Sequence, residues 1–187
     1  MSLTTLDPKT ALIVVDLQKG IVQSPFIHPI SDVIKRSRAL LDAFRRQDLP
    51  AVLVNVAGRA PGRTEQPPRN VTFAEGWTDL LPELGQQPGD ILVTRRTWGS
   101  FANTDLEAQL KARGVTQVVV TGVATGTGVE ATARQAYEQG FNVTLAIDAM
   151  TDVRPEAHEY SIAHVFPRLG ETGSTHQISD LITARSA

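Results

Sequence analysis

Residues 117–131 read QVVVTGVATGTGVEA, and this stretch decides the fold. The run from 117 to 121 is rich in β-branched residues and mostly apolar, which is typical of a strand buried on both faces of a parallel sheet. A glycine-rich turn follows, and after it we predict a helix from about Gly128 to Gln139 that ends at Gly140. Strand, turn and helix in this order form the repeating unit of a parallel α/β sheet.

Similar apolar runs recur on both sides of this unit, at residues 11–15, 51–56, 91–94 and 142–147. Segments with helical spacing separate them. We predict helix starts at an N-cap formed by Ser31, at a capping box over residues 104–107, at Pro155 for a helix through Arg168, and at a capping box over residues 174–177 for a helix ending near Arg185. The alternation predicts a single domain over residues 1–187, of class α/β. Its core would be a Rossmann-like, doubly wound parallel β-sheet of five or six strands, with helices on both faces.

Composition narrows the classes of function. Across 187 residues, 18 Lys and Arg stand against 20 Asp and Glu, and the net charge of -2 gives no basic surface for nucleic acid. The chain has no cysteine, which excludes disulfides, Cys-ligated zinc and a thiolate nucleophile. We find no signal-peptide pattern and no apolar run of the roughly 18 residues that a membrane span needs. We therefore expect a cytoplasmic protein with a small-molecule partner and without nucleic-acid or membrane partners.

Polar side chains follow two of the predicted strands, at the edge where ligands bind in such sheets. Asp16 comes directly after the first strand and is followed by Gln18, while Arg95, Trp98 and Phe101 follow the third strand. A carboxylate at this edge is a candidate general acid or base. The competing interpretation is that Asp16 only caps the loop after its strand, and that the aromatic residues belong to the core.

The turn after the fourth strand predicts an anion-binding helix start. Thr127 and Glu130 match a capping box. The amides of Gly128 and Val129 would then be free to stabilise an anion or a developing oxyanion.

The same turn also matches the G-x-G-x-x-G/A dinucleotide fingerprint through Gly126, Gly128 and Ala131, with Asp148 lying 20 residues after Gly128. The match favours NAD or a flavin as an alternative ligand. Against it, four residues separate the predicted strand from the first glycine of the fingerprint, where a dinucleotide turn usually follows its strand directly.

Three ordered motifs carry a resemblance to a known family: VVDLQ at 14–18, RRTWGSFANTDL at 95–106 and GVATGTGVEATARQAYEQGFNVTLAIDA at 122–149. They resemble the isochorismatase-like hydrolases, also called the cysteine hydrolase superfamily, over nearly the full chain. The resemblance implies a six-stranded parallel α/β fold, a homo-oligomer of two or more subunits, and a catalytic aspartate, lysine and cysteine. Residue by residue, the aspartate is Asp16, but Arg95 stands at the lysine position and Gly128 at the cysteine position.

We expect substrate contacts from residues around the three catalytic positions, namely Gln18, Trp98, Phe101, Val123, Ala124, Thr125 and Thr127. The two threonines are predicted to cap the helix rather than to act as nucleophiles, because a hydroxyl nucleophile needs an adjacent base. We expect no cofactor.

Arg95 and Gly128 differ from the lysine and cysteine of the family pattern, and these two differences limit the reactions that the site could catalyse. Family members that hydrolyse amides use the cysteine thiolate, and that route is closed here. Isochorismatases, as the resemblance suggests, cleave a vinyl ether without the cysteine and commonly carry glycine in its place. That reaction needs a proton for the enol carbon, which Asp16 would supply, while Gly128 leaves room for substrate.

Arg95 works against the acid role of Asp16. A guanidinium stays protonated, so it cannot shuttle a proton, and its charge should lower the pKa of Asp16 and favour the carboxylate. Its planar fork can instead bind a substrate carboxylate.

The leading hypothesis is a hydrolase of a small metabolite that uses acid–base chemistry at Asp16 without a cysteine nucleophile. One alternative is a catalytically silent ligand-binding protein on the same fold, in which Asp16 and Arg95 form only a structural ion pair. The other is the dinucleotide-binding enzyme.

Metal binding has little support in the sequence. The four histidines are scattered, and His158 and His164 are six residues apart, so they do not form an i, i+4 ligand pair on one helix. Residues 56–59 also lack the Asp-x-His pattern that nicotinamidases use for a metal. The Pro-, Gly- and Arg-rich stretch 58–69 is predicted to be a loop, either a mobile flap over the site or a solvated surface segment.

Overall fold

The computed structural model describes residues 3–65 and 73–184, and their centre is a parallel sheet of six strands. The strand order is β3-β2-β1-β4-β5-β6, and every neighbouring pair is parallel. The strands are β1 (Thr10–Val15), β2 (Ala51–Val56), β3 (Ile91–Arg95), β4 (Gln117–Val123), β5 (Asn142–Thr151) and β6 (Glu171–Gly173). The doubly wound parallel sheet expected from the sequence is confirmed.

In the described parts of the chain, five α-helices flank the sheet. They are α1 (Ile30–Arg46), α2 (Leu106–Ala112), α3 (Glu130–Glu138), α4 (Pro155–Tyr160) and α5 (Thr175–Thr183). α1 and α5 pack on one face, and α2 and α3 pack on the other. A π-helical turn, Thr125–Val129, leads into α3, while a second π turn, Ser161–Val165, and a 3₁₀ turn, Phe166–Arg168, extend α4.

The central strand β1 is buried along its whole length. Ala11, Ile13 and Val15 face the layer of α2 and α3, while Leu12 and Val14 face the layer of α1 and α5. This explains the continuous apolar run, because a strand covered on both faces has no polar side. The strand order reverses between β1 and β4, and ligands bind at such a point in open α/β sheets.

The sheet differs from the sequence prediction mainly around β5 and β6. β6 has three residues and was not located from the sequence, because so short a strand carries no pattern. β5 continues four residues beyond the predicted end at 147. Its pairing with β4 jumps from Val120↔Leu145 to Gly122↔Met150. The residues of β5 between Leu145 and Met150 therefore form a bulge-like irregularity, which includes Asp148.

Four of the five predicted side-chain caps are wrong, among them the one at Thr125. Ser31 lies inside α1, which begins after Pro29, and α2 begins after Asp105 without a side-chain cap. Thr127 lies inside the π turn, and Glu130 instead accepts a hydrogen bond from Ser161 at 2.6 Å. The capping box at Ser174 is confirmed. A side chain can cap a helix only if it stands at the first residue before the helix. Tertiary packing decides where each helix begins, so the capping residue is hard to predict from the sequence.

Other expectations concern loops and chain ends. Residues 58–65 form no helix or strand, while 66–69 of the predicted loop and Arg185 lie outside the described residues. Within the described ranges no helix has both the length and the apolar character that a membrane span requires.

The close approach of β4 to β1 predicts a sensitive position. Gly122 has a φ of 108°, and an alanine Cβ there would lie 2.1 Å from the carbonyl oxygen of Val15. We expect Gly122→Ala to lower the free energy of unfolding by about 3 kcal/mol, measured by urea denaturation. Gly89→Ala is the control, because its Cβ would meet no atom within 4 Å, and it should change that free energy by less than about 1 kcal/mol. Equal losses in the two variants would contradict this account.

Candidate active site

Asp16 and Arg95 form a buried ion pair where the carboxyl ends of the strands meet. Asp16 follows β1 with a φ of 52°, and its amide donates a hydrogen bond to Val54 at 3.0 Å. Arg95 ends β3 and reaches across β2, so that its Nε donates to Oδ1 of Asp16 at 3.2 Å and its Nη2 donates to Oδ2. The two residues are 3% and 5% exposed, so the pair is closed from most of the solvent.

Gly128 completes this arrangement from the turn after β4. A Cβ on Gly128 would lie 2.9 Å from Nη2 of Arg95, and 3.1 Å from both the Val123 carbonyl oxygen and a methyl carbon of Val15. The guanidinium therefore occupies the space in front of Gly128. The structure thus brings together the three residues predicted as catalytic.

Burial governs the protonation of Asp16. Desolvation raises the pKa of Asp16 to about 6, and the charge and hydrogen bond of Arg95 only partly oppose this rise. Arg95 does lower this pKa, as the sequence predicts, but the net shift is upward because burial outweighs the guanidinium. The carboxyl exchanges its proton close to neutral pH, which suits a general acid or base.

Gln18 holds the neighbouring chain segments by both ends of its amide. Its Oε1 accepts a hydrogen bond from the Val56 amide at 2.7 Å, and its Nε2 donates to the carbonyl oxygens of Val56 and Trp77 at 3.1 and 3.3 Å. The side chain is fully buried. Gln18 therefore joins the end of β2 to the segment around Trp77, in addition to any contact with a ligand.

The two aromatic residues predicted for the substrate site lie in different surroundings. Phe101 is buried in the core, with its ring centroid 5.8 Å from that of Phe141. Trp98 is 67% exposed. Contact with a substrate stays a prediction for both residues.

The turn after β4 is held by its own backbone. Val123 is buried as the last residue of β4, and the Ala124 carbonyl accepts hydrogen bonds from the amides of Thr127 and Val129 at 3.1 and 3.2 Å. The sequence pattern predicts that the amide of Val129 is free to bind an anion. In the structure this amide is already donated to Ala124, so the prediction is wrong for Val129. The Thr127 hydroxyl donates to the same carbonyl at 3.4 Å.

Thr125 contacts a histidine that the sequence did not single out as part of the site. Its buried hydroxyl lies 2.8 Å from Nδ1 of His158, on α4. The prediction that Thr125 caps the helix is wrong, since no side-chain cap precedes the π turn. Only folding brings α4 to this turn, because 33 residues separate Thr125 from His158.

Asp148, the acidic residue of the predicted dinucleotide fingerprint, is engaged elsewhere in the structure. Asp148 accepts hydrogen bonds from the amide and hydroxyl of Thr175 at 2.7 and 2.9 Å, and it lies 3.7 Å from Nε of Arg36. The carboxylate thus binds the first turn of α5 rather than facing the glycine turn. This placement of Asp148 argues against a dinucleotide ligand at the glycine turn.

The described residues contain no group of three or more His, Asp or Glu side chains placed to hold a metal ion. His28 and His158 do lie side by side, with ring centroids 4.9 Å apart. His164 instead stacks beside Tyr160 at 5.1 Å.

The sheet topology, the acid after β1 and the glycine turn after β4 define an α/β protein of the isochorismatase-like class. The isochorismatase domain profile matches residues 10–177. The chain belongs to the isochorismatase family, a family of hydrolases, and it lacks the catalytic cysteine.

Similar proteins span nearly the same length. The uncharacterised isochorismatase family protein YwoC of Bacillus subtilis is 37% identical over 182 residues, which cover 93% of this chain and 94% of YwoC. The uncharacterised family protein YecD of Escherichia coli O157:H7 is 38% identical over 178 residues, covering 90% and 94%. An isochorismatase family protein from Burkholderia thailandensis has a TM-score of 0.91 at 37% identity, covering 97% of this chain and all of that one.

The contact between Arg95 and Gly128 predicts substitutions that are not additive. Gly128→Cys alone places a side chain on the guanidinium and should lower the free energy of unfolding by about 2 kcal/mol. Arg95→Lys removes Nη2, the nearest of the three atoms that the new side chain would meet. The double variant should therefore lose at least about 1 kcal/mol less than the sum of the two single losses, measured by urea denaturation.

Gly89→Cys is the matched control, because a side chain there enters open space. Combined with Arg95→Lys, its effect should add to that of the lysine within about 0.5 kcal/mol. Additive losses at Gly128 and Arg95 would mean that the two positions do not meet in solution.

Proposed function

We propose that this protein hydrolyses a small metabolite by acid–base chemistry at Asp16, without a covalent enzyme intermediate. The observation that carries the proposal is the position of Asp16 beside Arg95 and Gly128, with a pKa raised by burial to about 6. A carboxyl with this pKa is present in both protonation states near neutral pH, so it can deliver a proton and recover it.

Hydrolysis of an enol ether fits these groups. The Asp16 carboxyl gives its proton to the enol carbon, and an oxocarbenium ion forms. Water adds to that ion and loses a proton, and the resulting hemiketal separates into a ketone and an alcohol. No step needs a nucleophilic side chain, which agrees with the absence of cysteine.

Arg95 favours a substrate that carries a carboxylate. Its guanidinium donates to both oxygens of Asp16 and, through Nη1, to the Thr97 carbonyl. A substrate carboxylate that takes over part of this fork would release one Asp16 oxygen for proton transfer. It would also keep the buried guanidinium paired throughout the reaction.

The second candidate is a catalytically silent ligand-binding protein. The observation in its favour is that Arg95 fills the space in front of Gly128 and engages both oxygens of Asp16. A site that held this ion pair closed would bind no substrate at Asp16. Ligand binding without turnover would support this candidate.

Turnover should depend on the Asp16 carboxyl. We expect the wild type to hydrolyse isochorismate, and not nicotinamide, small aliphatic amides or ureido acids, when products are measured by mass spectrometry. Asp16→Asn should lower kcat by at least about 100-fold, because an amide cannot donate the proton.

Asp90→Asn is the matched control for the removal of a buried carboxylate. Asp90 forms another buried pair, with Nη2 of Arg45 at 2.6 Å, and it precedes β3 at the opposite end of the sheet. Each variant removes the charge of a buried carboxylate while keeping the size of the side chain. Only Asp16→Asn should lose turnover, and equal turnover in the two variants would contradict the proposal.

The raised pKa of Asp16 also predicts a pH dependence of stability. The folded protein holds this proton up to about pH 6, whereas the ordinary value is 3.8, so the stability that Asp16 contributes is present below pH 3.8 and lost as the pH rises to about 6. The free energy of unfolding of the wild type relative to Asp16→Asn should fall over this range by about 3 kcal/mol and level off above it. The ¹³C signal of the Asp16 carboxyl should titrate near pH 6. A midpoint below 4 would contradict the prediction.

A further inference from the structure

Two histidines are held side by side, each through one ring nitrogen. His28 lies in the segment before α1, and its Nδ1 is 3.1 Å from the hydroxyl of Thr151 at the end of β5. His158 lies on α4, and its Nδ1 is 2.8 Å from the hydroxyl of Thr125 after β4. The ring centroids are 4.9 Å apart with the planes at 62°. Two threonines thus fix the orientation of both imidazoles.

The other ring nitrogens remain available. Among the described residues, no hydrogen-bond partner is found for Nε2 of His28 or for Nε2 of His158. Neither atom is among the fully buried polar atoms that lack a partner. When Nδ1 of a histidine is held, Nε2 is the atom that is left to bind a ligand or exchange a proton. His28 and His158 therefore each keep one ring nitrogen for which the described residues supply no hydrogen-bond partner.

The histidine pair contacts the turn that carries Gly128, through the hydrogen bond between His158 and Thr125. Thr125 begins the π turn and lies three residues before Gly128. The Gly126 amide donates to Oδ2 of Asp152 at 2.8 Å, which joins the turn to the end of β5. Because β1 and β4 are neighbours, the pair and Asp16 lie at the same edge of the sheet.

We propose that His158 is the base that takes a proton from the attacking water, and that Thr125 is the residue that orients it. This inference rests on the hydrolysis proposed above. It adds a second proton-transfer group beside Asp16.

The proton balance of the reaction is then complete. Asp16 gives one proton to the enol carbon, and the water oxygen forms a bond to the oxocarbenium carbon while one of its protons passes to Nε2 of His158. The hemiketal hydroxyl proton moves to the leaving oxygen as the carbon–oxygen bond breaks, so that a ketone and an alcohol form. The imidazolium then loses its proton to solvent, and Asp16 regains one from solvent.

Electrostatics agree with this division of roles. Burial, with a contribution from His28, lowers the pKa of His158, while the charges of Asp152 and Glu159 act in the opposite direction. His158 is therefore neutral at neutral pH and able to accept a proton. The pKa of Asp16 is shifted upward, so a carboxyl that can carry a proton and an imidazole that can accept one are both present near neutral pH.

The first test is the tautomer of His158, measured by ¹⁵N–¹H correlation NMR on the complete wild-type chain at pH 7.5. We expect the proton on Nδ1, donated to the Thr125 hydroxyl, and an unprotonated Nε2 that titrates below pH 6.5. A proton on Nε2 with Nδ1 as the acceptor would overturn the proposal, because that atom could then take no proton from water.

The second test is the hydrolysis of isochorismate by His158→Gln, with His176→Gln as the control. His176 is an exposed residue on α5 that pairs with Asp180. His158→Gln should lower kcat at least about 100-fold, change KM less than about threefold, and remove the acidic limb of the kcat–pH profile. His176→Gln should leave kcat and the profile unchanged.

Thr125→Ser and Thr125→Val distinguish the orientation of His158 by the Thr125 hydroxyl from the packing of the Thr125 side chain. Serine keeps the hydroxyl and should retain kcat within about threefold, whereas valine should lower it at least about tenfold with the same change in the pH profile. Turnover that is lost in Asp16→Asn but kept in His158→Gln would overturn the role of His158 alone. A wild type that does not turn over isochorismate, or one that Asp16→Asn does not impair, would overturn the hydrolysis and this role together.

Discussion

The buried ion pair between Asp16 and Arg95 is the interaction on which the site depends. It links the end of β1 to the end of β3 across β2, and both partners are almost wholly closed from solvent. In so closed a place the charge of Arg95 is held by the Asp16 carboxyl and by the Thr97 carbonyl. The pair therefore limits what can stand at Gly128, how Asp16 exchanges its proton and which substrates can enter.

Gly128 and Arg95 are complementary in volume. The resemblance to the family places a cysteine and a lysine at these positions, while here the larger cation extends into the space that the smaller residue leaves. Losing the thiol thus does not leave an empty site; it leaves a carboxyl and a guanidinium in direct contact. The chemistry that such groups support is proton transfer and the binding of carboxylates.

The polar contacts around this edge of the sheet join segments that are distant in sequence. Gln18 holds the end of β2 and the segment near Trp77. Thr151 binds the amide of His28, and Asp152 binds that of Gly126, so the segment before α1 and the turn after β4 are both tied to the end of β5. Asp16 and the histidine pair therefore belong to one connected scaffold rather than to independent loops.

The sequence by itself determined the sheet, most of the helices, the missing thiol and the strand ends that carry Asp16, Arg95 and Gly128. Continuous apolar runs mark strands buried on both faces, and residues after such strands meet at one edge. Only the tertiary structure decided the three-residue strand β6, the use of Glu130 and Asp148 outside the turn, the pairing of Thr125 with His158 and the pKa of Asp16. These features depend on which distant groups meet and on how far burial outweighs a neighbouring charge, and neither is encoded in the spacing of residues along the chain.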